Sequence, residues 1–200
     1  MRKGIAFIVS GPSGGGKTTL AKSALHELDN LSFSVSCTTR KPREGEIDGQ
    51  DYKFITEEQF EDMVNKEKFI EHALVHGHHY GTPVAEFENA EKTGVDLLLD
   101  IDVQGASQIK KTYPEAIFCF VMPPTFEVLK ERLSKRNTNG DIDINKRLER
   151  AKEEMATSIL EEYDYIIINE KLDEALDAMH SIIVSTRCES NRVLENLKEG

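Results

Sequence analysis

The stretch 11–18 constrains the fold of this chain more than any other. It reads Gly-Pro-Ser-Gly-Gly-Gly-Lys-Thr, a glycine followed after four residues by glycine, lysine and threonine. The apolar run Ile5–Val9 precedes it, and a segment with helical character, 18–28, follows it. Strand, glycine-rich loop and helix in this order are the context of a phosphate-binding P-loop. The sequence therefore predicts this loop at the end of the first strand.

The residue types of the loop suit a chain of phosphates. Glycines let several backbone N–H groups turn toward one phosphate, and the following helix adds the positive end of its dipole. Lys17 is predicted to reach the outer phosphates, and the Thr18 hydroxyl to be a ligand of Mg²⁺. The alternative is a flexible glycine turn, but the complete motif and its flanks favour binding of a nucleoside triphosphate. The motif does not specify the reaction.

Length, charge and cysteine content limit the remaining classes. The 200 residues fit one domain, and a formal net charge of -11 argues against a nucleic-acid or anionic-membrane partner, because both would be repelled. The longest apolar run, 116–122, is too short to span a bilayer, and the run near the N-terminus is too short for an export signal. Cys37, Cys119 and Cys188 are scattered, as expected of reduced thiols. These features predict a cytoplasmic protein.

Strand-like and helix-like segments alternate along the chain. This order predicts an α/β fold with a mainly parallel sheet and helices on both faces. The aliphatic run Val95–Ile101 is typical of a buried parallel strand, and Asp100 and Asp102 stand at its carboxyl end, where such sheets bind ligands. Asp100 is predicted to hold Mg²⁺, directly or through water, opposite Thr18. The alternative role for Asp100 is to cap the next helix.

Two groups of arginines are candidate phosphate ligands. Arg40 and Arg43 lie three residues apart in a turn-rich stretch and could present their planar groups to one phosphate. A solvated surface pair is the alternative. Arg132 and Arg136 share one helix face, and Arg147 follows on the next helix. They could form a basic flap over a triphosphate, or only a charged helix surface.

Two stretches give predictions of local structure that the fold can test. Residues 76–81 read as a turn, after which Thr82 would cap a helix with Pro83 at its first position and Gly94 at its end. Residues 172–197 read as one long C-terminal helix.

Several further motifs together resemble the guanylate kinase family. They are Ser34-Val-Ser-x-Thr-Thr-Arg40-x-Pro-Arg43-x-Gly-Glu46, Gly49-x-x-Tyr52-x-Phe54, Phe69-Ile-Glu71, Tyr80-Gly81-Thr82, Leu99-Asp-Ile-Asp-x-Gln-Gly105 and Tyr163-Asp-Tyr-Ile-Ile-Ile-Asn169. With the P-loop they cover nearly the whole chain, and they are more specific than a P-loop alone. One position departs from the family pattern, because Asn137 stands where a glycine usually follows the second flap arginine.

The resemblance implies an enzyme that transfers the γ-phosphoryl group of ATP to GMP or dGMP, with Mg²⁺ as cofactor. It implies that the GMP phosphate is held by Arg40, Arg43, Tyr52 and Tyr80, and the guanine by Ser36, Glu71, Thr82 and Asp102. A carboxylate would meet the two adjacent donors of guanine, N1–H and the 2-amino group, whereas adenine has an acceptor at N1. Adenine would then be rejected.

The same resemblance implies the donor site and the subregions of a single domain. The ATP-binding residues would be Gly11, Pro12, Ser13, Gly14, Gly15, Gly16, Lys17, Thr18, Thr19 and Asn169. The catalytic residues would be Lys17 with Arg132, Arg136 and Arg147, and the metal ligands Thr18 and Asp100. The core would comprise 1–34, 95–124 and 153–200, the GMP-binding lobe 35–94 and the lid 125–152.

Two alternatives to this enzyme remain open at the level of the sequence. One is a guanylate-kinase-like module that binds phosphopeptides without turnover, and the other is a kinase of another nucleoside monophosphate. The sequence leaves undetermined whether the chain is a monomer or a homo-oligomer.

Overall fold

The computed structural model describes residues 2–75, 77–136 and 141–198. The strands in these residues are β1 (Ala6–Ser10), β2 (Leu31–Phe33), β3 (Cys37–Thr38), β4 (Lys53–Phe54), β5 (Phe69–Val75), β6 (His78–Pro83), β7 (Asp96–Asp100), β8 (Ile117–Met122) and β9 (Tyr165–Ile168). The helices are α1 (Lys17–Glu27), α2 (Glu57–Asn65), α3 (Val84–Thr93), α4 (Val103–Thr112), α5 (Phe126–Arg136), α6 (Asp141–Glu154), α7 (Thr157–Leu160), α8 (Leu172–Arg187) and α9 (Ser190–Lys198).

The larger of two sheets is parallel and buried on both faces. Its strand order is β2-β7-β1-β8-β9, and every pair in it is parallel. One face packs against α1 and α8, where Leu20 and Met179 are fully buried. The other packs against α3 and α4, where Phe87 and Ile109 are buried. The predicted α/β class is therefore confirmed, and the near-continuous apolar strands follow from burial on both sides.

The smaller sheet has the order β4-β3-β6-β5, and β5 and β6 form an antiparallel hairpin. The predicted turn over 76–81 is wrong for most of its length, because β6 begins at His78; His76 itself lies outside the described residues. Thr82 does not cap a helix, since its hydroxyl donates to Glu71 at 2.6 Å. Pro83 is the N-cap of α3 rather than its first helical residue. Pairing with β5 overrides the local turn signals.

The predicted single C-terminal helix over 172–197 is wrong, since α8 ends at Arg187 and a second helix, α9, begins at Ser190. At the end of α8 the Arg187 guanidinium donates to the buried carboxylate of Asp96 at 2.7 Å and to the carbonyl of Asn30 at 3.2 Å. The backbone N–H of Cys188 bonds three residues back at 3.0 Å, so the last turn is tightened. A contact distant in sequence thus fixes where α8 stops.

Helices α5 and α6 form a small hydrophobic core of their own. Leu129, Leu133, Leu148 and Ala151 are buried between them. A Cβ added at Gly14 of the P-loop would lie 3.0 Å from Leu129, so α5 packs directly on that loop. Residues 137–140, including the departure at Asn137, lie outside the described residues.

Among the described residues, no helix combines the length and the apolar character that crossing a membrane requires.

Candidate functional site

The P-loop connects β1 to α1 and leaves the backbone N–H groups of the first helical turn without helical partners. Gly16 precedes α1 with a φ of 96°, which favours glycine. A Cβ there would also lie 2.1 Å from the side-chain nitrogen of Asn169, which donates to the carbonyl of Gly15 at 3.0 Å. Asn169 follows β9, so the last strand of the sheet supports the loop from beneath. The arrangement can hold an anion at the helix N-terminus.

Lys17, Thr18 and Asp100 lie together at the carboxyl ends of β1 and β7. The Lys17 ammonium donates to the carbonyls of Gly11 at 2.7 Å and Pro12 at 3.1 Å. The Thr18 hydroxyl donates to Asp100 at 2.5 Å. Burial raises the pKa of the Asp100 carboxyl, while Lys17 and the Thr18 hydrogen bond act in the opposite direction. Asp100 therefore bonds the P-loop threonine rather than capping a helix.

This donor set fits Mg²⁺. One hydroxyl and one carboxylate are hard oxygen ligands, and Mg²⁺ usually keeps several waters and phosphate oxygens around one or two protein groups. Within residues 2–75, 77–136 and 141–198, no three His, Cys, Asp or Glu side chains form a group that could hold a metal ion. A metal held by Thr18 and Asp100 would take its other ligands from a nucleotide and water.

Arg40 is held by partners on three sides. Its two terminal nitrogens donate to the Glu46 carboxylate at 2.8 and 2.9 Å, and its Nε donates to the Tyr80 hydroxyl at 3.1 Å. The guanidinium also lies 5.4 Å from the centre of the Tyr52 ring. Arg40 lowers the pKa of Glu46 to about 2. The surface-pair alternative therefore does not describe Arg40, whose side chain is only 10% exposed.

Arg43 and Tyr52 complete this cluster in different ways. The Arg43 side chain is exposed, and its backbone N–H donates to Glu46 at 2.7 Å, so that carboxylate also fixes the turn. Burial raises the pKa of Tyr52, and the charge of Asp100 adds to the effect. An ion pair between Lys22 of α1 and Asp51, at 3.4 Å, joins the cluster to the P-loop helix. The cluster thus lies on the side of the smaller sheet that faces the P-loop.

Glu71 is a buried carboxylate in the same sheet. It lies opposite Thr82 in the β5–β6 register and accepts the hydrogen bond of that hydroxyl, which lies 3.2 Å from the Ser36 hydroxyl. The pKa of Glu71 is raised to about 7, mainly by burial and to a smaller extent by the charge of Asp102, while the hydrogen bonds with Thr82 act in the opposite direction. A carboxyl with this pKa can be neutral when alone and ionise when hydrogen-bond donors arrive.

Asp102 faces Glu71 from the larger sheet. One of its oxygens accepts the backbone N–H of Gly105 at 2.9 Å as the N-cap of α4, and the other accepts from Arg150 at 3.3 Å. A Cβ at Gly105 would lie 2.9 Å from a Glu71 oxygen, so Glu71 approaches α4 closely. The two predicted guanine-binding carboxylates therefore meet at the first turn of this helix.

The arginines of α5 and α6 contact the donor side. Arg132 donates to the backbone carbonyl of Asn169 at 2.8 Å, and Arg147 donates to the hydroxyl of Ser13 at 2.9 Å. The side chain of Arg136 lies outside the described part of the chain.

A cavity of about 360 Å³ opens between the P-loop, α5 and the end of β9. Its walls include Gly14, Gly16, Thr19, Arg132, Asn169 and Leu172. This space adjoins the phosphate loop and suits the nucleoside of a donor.

The structure brings nearly all the predicted residues with described side chains to one cleft, although Arg43 stays exposed at its edge. Sequence reasoning assigned no role to Glu46, Gly105 or Arg150. Glu46 belongs to the motif that contains Arg40 and Arg43, and a conspicuous acid beside two predicted phosphate ligands was the available signal. For Arg150 the sequence offers no signal that distinguishes it from the other basic residues of α6.

Comparisons with known proteins agree with this geometry. Residues 3–186 match the family described as guanylate kinase. Curated guanylate kinases from Geobacter metallireducens and Thermotoga maritima are 44% and 47% identical, over 99% and 95% of this chain and 97% and 91% of theirs. The crystal structure of guanylate kinase from Anaplasma phagocytophilum has a TM-score of 0.78 at 33% identity, covering 96% of this chain and 90% of that one.

Proposed function

The chain belongs to the guanylate kinase family and is an ATP:GMP phosphotransferase, and on that premise we propose how its residues divide the reaction. The reaction moves the γ-phosphoryl group of ATP to the phosphate of GMP. The acceptor phosphate has a second pKa of about 6 and is largely dianionic near neutral pH, so no protein base is required. The residues have to bind, orient and neutralise two anions.

The P-loop residues 11–19 bind the phosphates of ATP, and Asn169 lies beside the adenine. Lys17 is catalytic, because its ammonium can follow the charge that develops on the outer phosphates. Thr18 and Asp100 hold Mg²⁺, which when bound neutralises phosphate charge. The 2.5 Å contact between these two side chains supports their sharing one ion.

The GMP phosphate binds to Arg40, Arg43, Tyr52 and Tyr80. The Tyr80 oxygen already accepts from Arg40, which leaves its O–H to donate to a phosphate oxygen. The Arg43 side chain is exposed and can turn toward the incoming anion. The positive charges of Arg40 and Arg43 reduce the repulsion between the phosphates of the two substrates.

Glu71 reads the guanine, together with Ser36, Thr82 and Asp102. A buried carboxylate, hydrogen-bonded by Thr82 and facing Asp102 at the junction of the two sheets, is the single observation that carries this assignment. Two acceptors on one carboxylate match N1–H and the 2-amino group. dGMP has the same base and is proposed as a second acceptor.

The lid, 125–152, moves against a core of 1–34, 95–124 and 153–200 and a GMP-binding lobe of 35–94. Its arginines Arg132, Arg136 and Arg147 stabilise the charge of the transferring group as catalytic residues. Closure excludes water, whose attack on ATP would waste the donor.

The enzyme is proposed to act in the cytoplasm, without nucleic-acid or membrane partners. Its three cysteines are free thiols, and its net charge of -11 opposes polyanionic partners.

A substrate panel tests the base assignment. We expect release of ADP from ATP to respond to GMP and dGMP, and to remain at background with AMP, CMP and UMP. Equal rates with AMP and GMP would overturn the role of Glu71.

A further inference from the structure

We propose that Gln108 is a positioning residue for guanine recognition, because its side-chain amide fixes strand β5 against helix α4. The inference rests on the proposed role of Glu71 as the guanine-binding carboxylate. Gln108 bonds the β5 backbone and acts through it, without contacting the substrate.

The amide of Gln108 makes a pair of hydrogen bonds with one residue of β5. Its oxygen accepts the backbone N–H of His72 at 3.2 Å, and its nitrogen donates to the backbone carbonyl of His72 at 3.1 Å. Strand β5 is the edge of its sheet, with β6 on its other side. The amide therefore occupies the place of a neighbouring strand and satisfies both groups of His72.

The residue next to this contact is the guanine-binding carboxylate. Glu71 precedes His72, and its side chain lies on the face shared with Thr82. On α4, Asp102, Gly105 and Gln108 follow one another at intervals of three, so they lie along one side of the helix. Along this side, Asp102 caps the helix, Glu71 approaches closely at Gly105, and the Gln108 amide bonds the backbone of His72.

The position of Glu71 relative to Asp102 depends on how β5 lies on α4, and a shift along the strand would move one carboxylate against the other. A displacement of about 1 Å is enough to weaken hydrogen bonds to two adjacent donors. The amide pair prevents this shift, because both of its bonds are directed at a single residue.

Loss of the Gln108 amide is expected to affect the binding of GMP and not that of ATP. Loss of the amide should weaken GMP binding and reduce preference for the 2-amino group, without changing the site of ATP. A side chain that only stabilised the fold would lower the melting temperature but leave the preference between bases unchanged.

The test uses Q108M, which keeps the length of the side chain but removes the amide, and Q108A as a second variant. K111A is the control, because Lys111 is exposed on the same helix. Steady-state rates are measured with GMP and with inosine monophosphate, which lacks the 2-amino group. We expect the KM for GMP to rise about tenfold, as for the loss of roughly one net hydrogen bond. The preference for GMP over inosine monophosphate should fall several-fold, and the KM for ATP should stay within about twofold.

Several results would overturn the inference. One is a KM for GMP and a base preference in Q108M that match those of the wild type and K111A. Another is a parallel rise in the KM for ATP and GMP with an unchanged base preference, which would make Gln108 a structural residue only. A wild-type enzyme without preference for GMP would instead refute the proposed role of Glu71, so the two failures are distinguishable.

Discussion

The donor and acceptor sides of the cleft are built in opposite ways. On the donor side, the backbone N–H groups come from one continuous stretch, 11–18, and a local glycine turn into α1 sets their directions. On the acceptor side, the proposed ligands are side chains from β5, β6, the segments before and after β3 and the N-terminus of α4. The first site is local in sequence and depends on backbone geometry. The second depends on contacts among residues that are distant in sequence. Several of its charged side chains are paired with a group of opposite charge, as Arg40 is with Glu46.

Lys17→Ala should have the largest effect, on the donor side. The ammonium stabilises charge that develops in the transition state, so we expect kcat to fall by about 10³-fold with a smaller change in the KM for GMP. Glu27→Ala is the control, since this charged residue is exposed at the last position of the same helix. Circular dichroism should show an intact fold. Substantial kcat in the variant would remove Lys17 from the mechanism.

The donor side could be predicted from the sequence more fully than the acceptor side, because the donor site is local in sequence and the acceptor site is not. The P-loop was predicted from residues 11–18 and the segments directly before and after them, because its geometry comes from glycines and a following helix. On the acceptor side, the residues alone indicated only Arg40 and Arg43 as candidate phosphate ligands, and the other acceptor residues came from a resemblance across five motifs. The sequence does not show that Glu46 pairs with Arg40, that β6 replaces a predicted turn, or that Arg187 ends α8 on Asp96. These features depend on tertiary contacts that no local pattern encodes.

Glu71→Gln should have the next largest effect, on the acceptor side. An amide in place of the carboxylate would set its own N–H donors against those of guanine, so kcat/KM for GMP should fall about 10²-fold. Glu58→Gln, at an exposed position of the same lobe, should change it by less than about twofold. Unchanged kcat/KM in the Glu71 variant would break the assignment of the base site.

The same substitution carries a pH signature. The pKa of Glu71 is about 7 in the folded protein against 4.5 in the unfolded chain, so the unfolding free energy falls as the pH rises between these values. The loss amounts to roughly 3 kcal/mol. Glu71→Gln should flatten this part of the profile in denaturant unfolding at pH 4.5 to 8, and should stabilise the unliganded protein at pH 8. A slope retained in the variant would place the titration on another group.

Glu46→Gln should have a moderate effect. Its charge-assisted bonds orient Arg40, and it also holds the Arg43 backbone, so we expect a rise in the KM for GMP of about tenfold with ATP binding unchanged. Glu44→Gln is the control in the same loop, because Glu44 is exposed. Removal of a negative charge near a phosphate would act in the opposite direction. A lower KM in the variant would therefore mean that Glu46 competes with GMP rather than positioning Arg40.

Arg150→Ala should have the smallest effect, and it tests whether the lid and the acceptor site are independent. Arg150 of α6 donates to the Asp102 oxygen that the N-cap bond leaves available, at 3.3 Å, and both side chains are partly exposed. If guanine needs that oxygen, Arg150 competes with it. Exposed ion pairs contribute about 0 to 1 kcal/mol, so the variant should lower the KM for GMP by at most about fivefold.

The competition should weaken with salt, because an exposed pair is screened. The KM difference between Arg150→Ala and the wild type is therefore expected to shrink between low and high ionic strength. Lys152→Ala, which removes an exposed charge from the same helix, should leave the KM for GMP unchanged. A higher KM in Arg150→Ala would show that Arg150 assists GMP binding. In that case a lid residue belongs to the acceptor site, and the two sides of the cleft are coupled through Asp102.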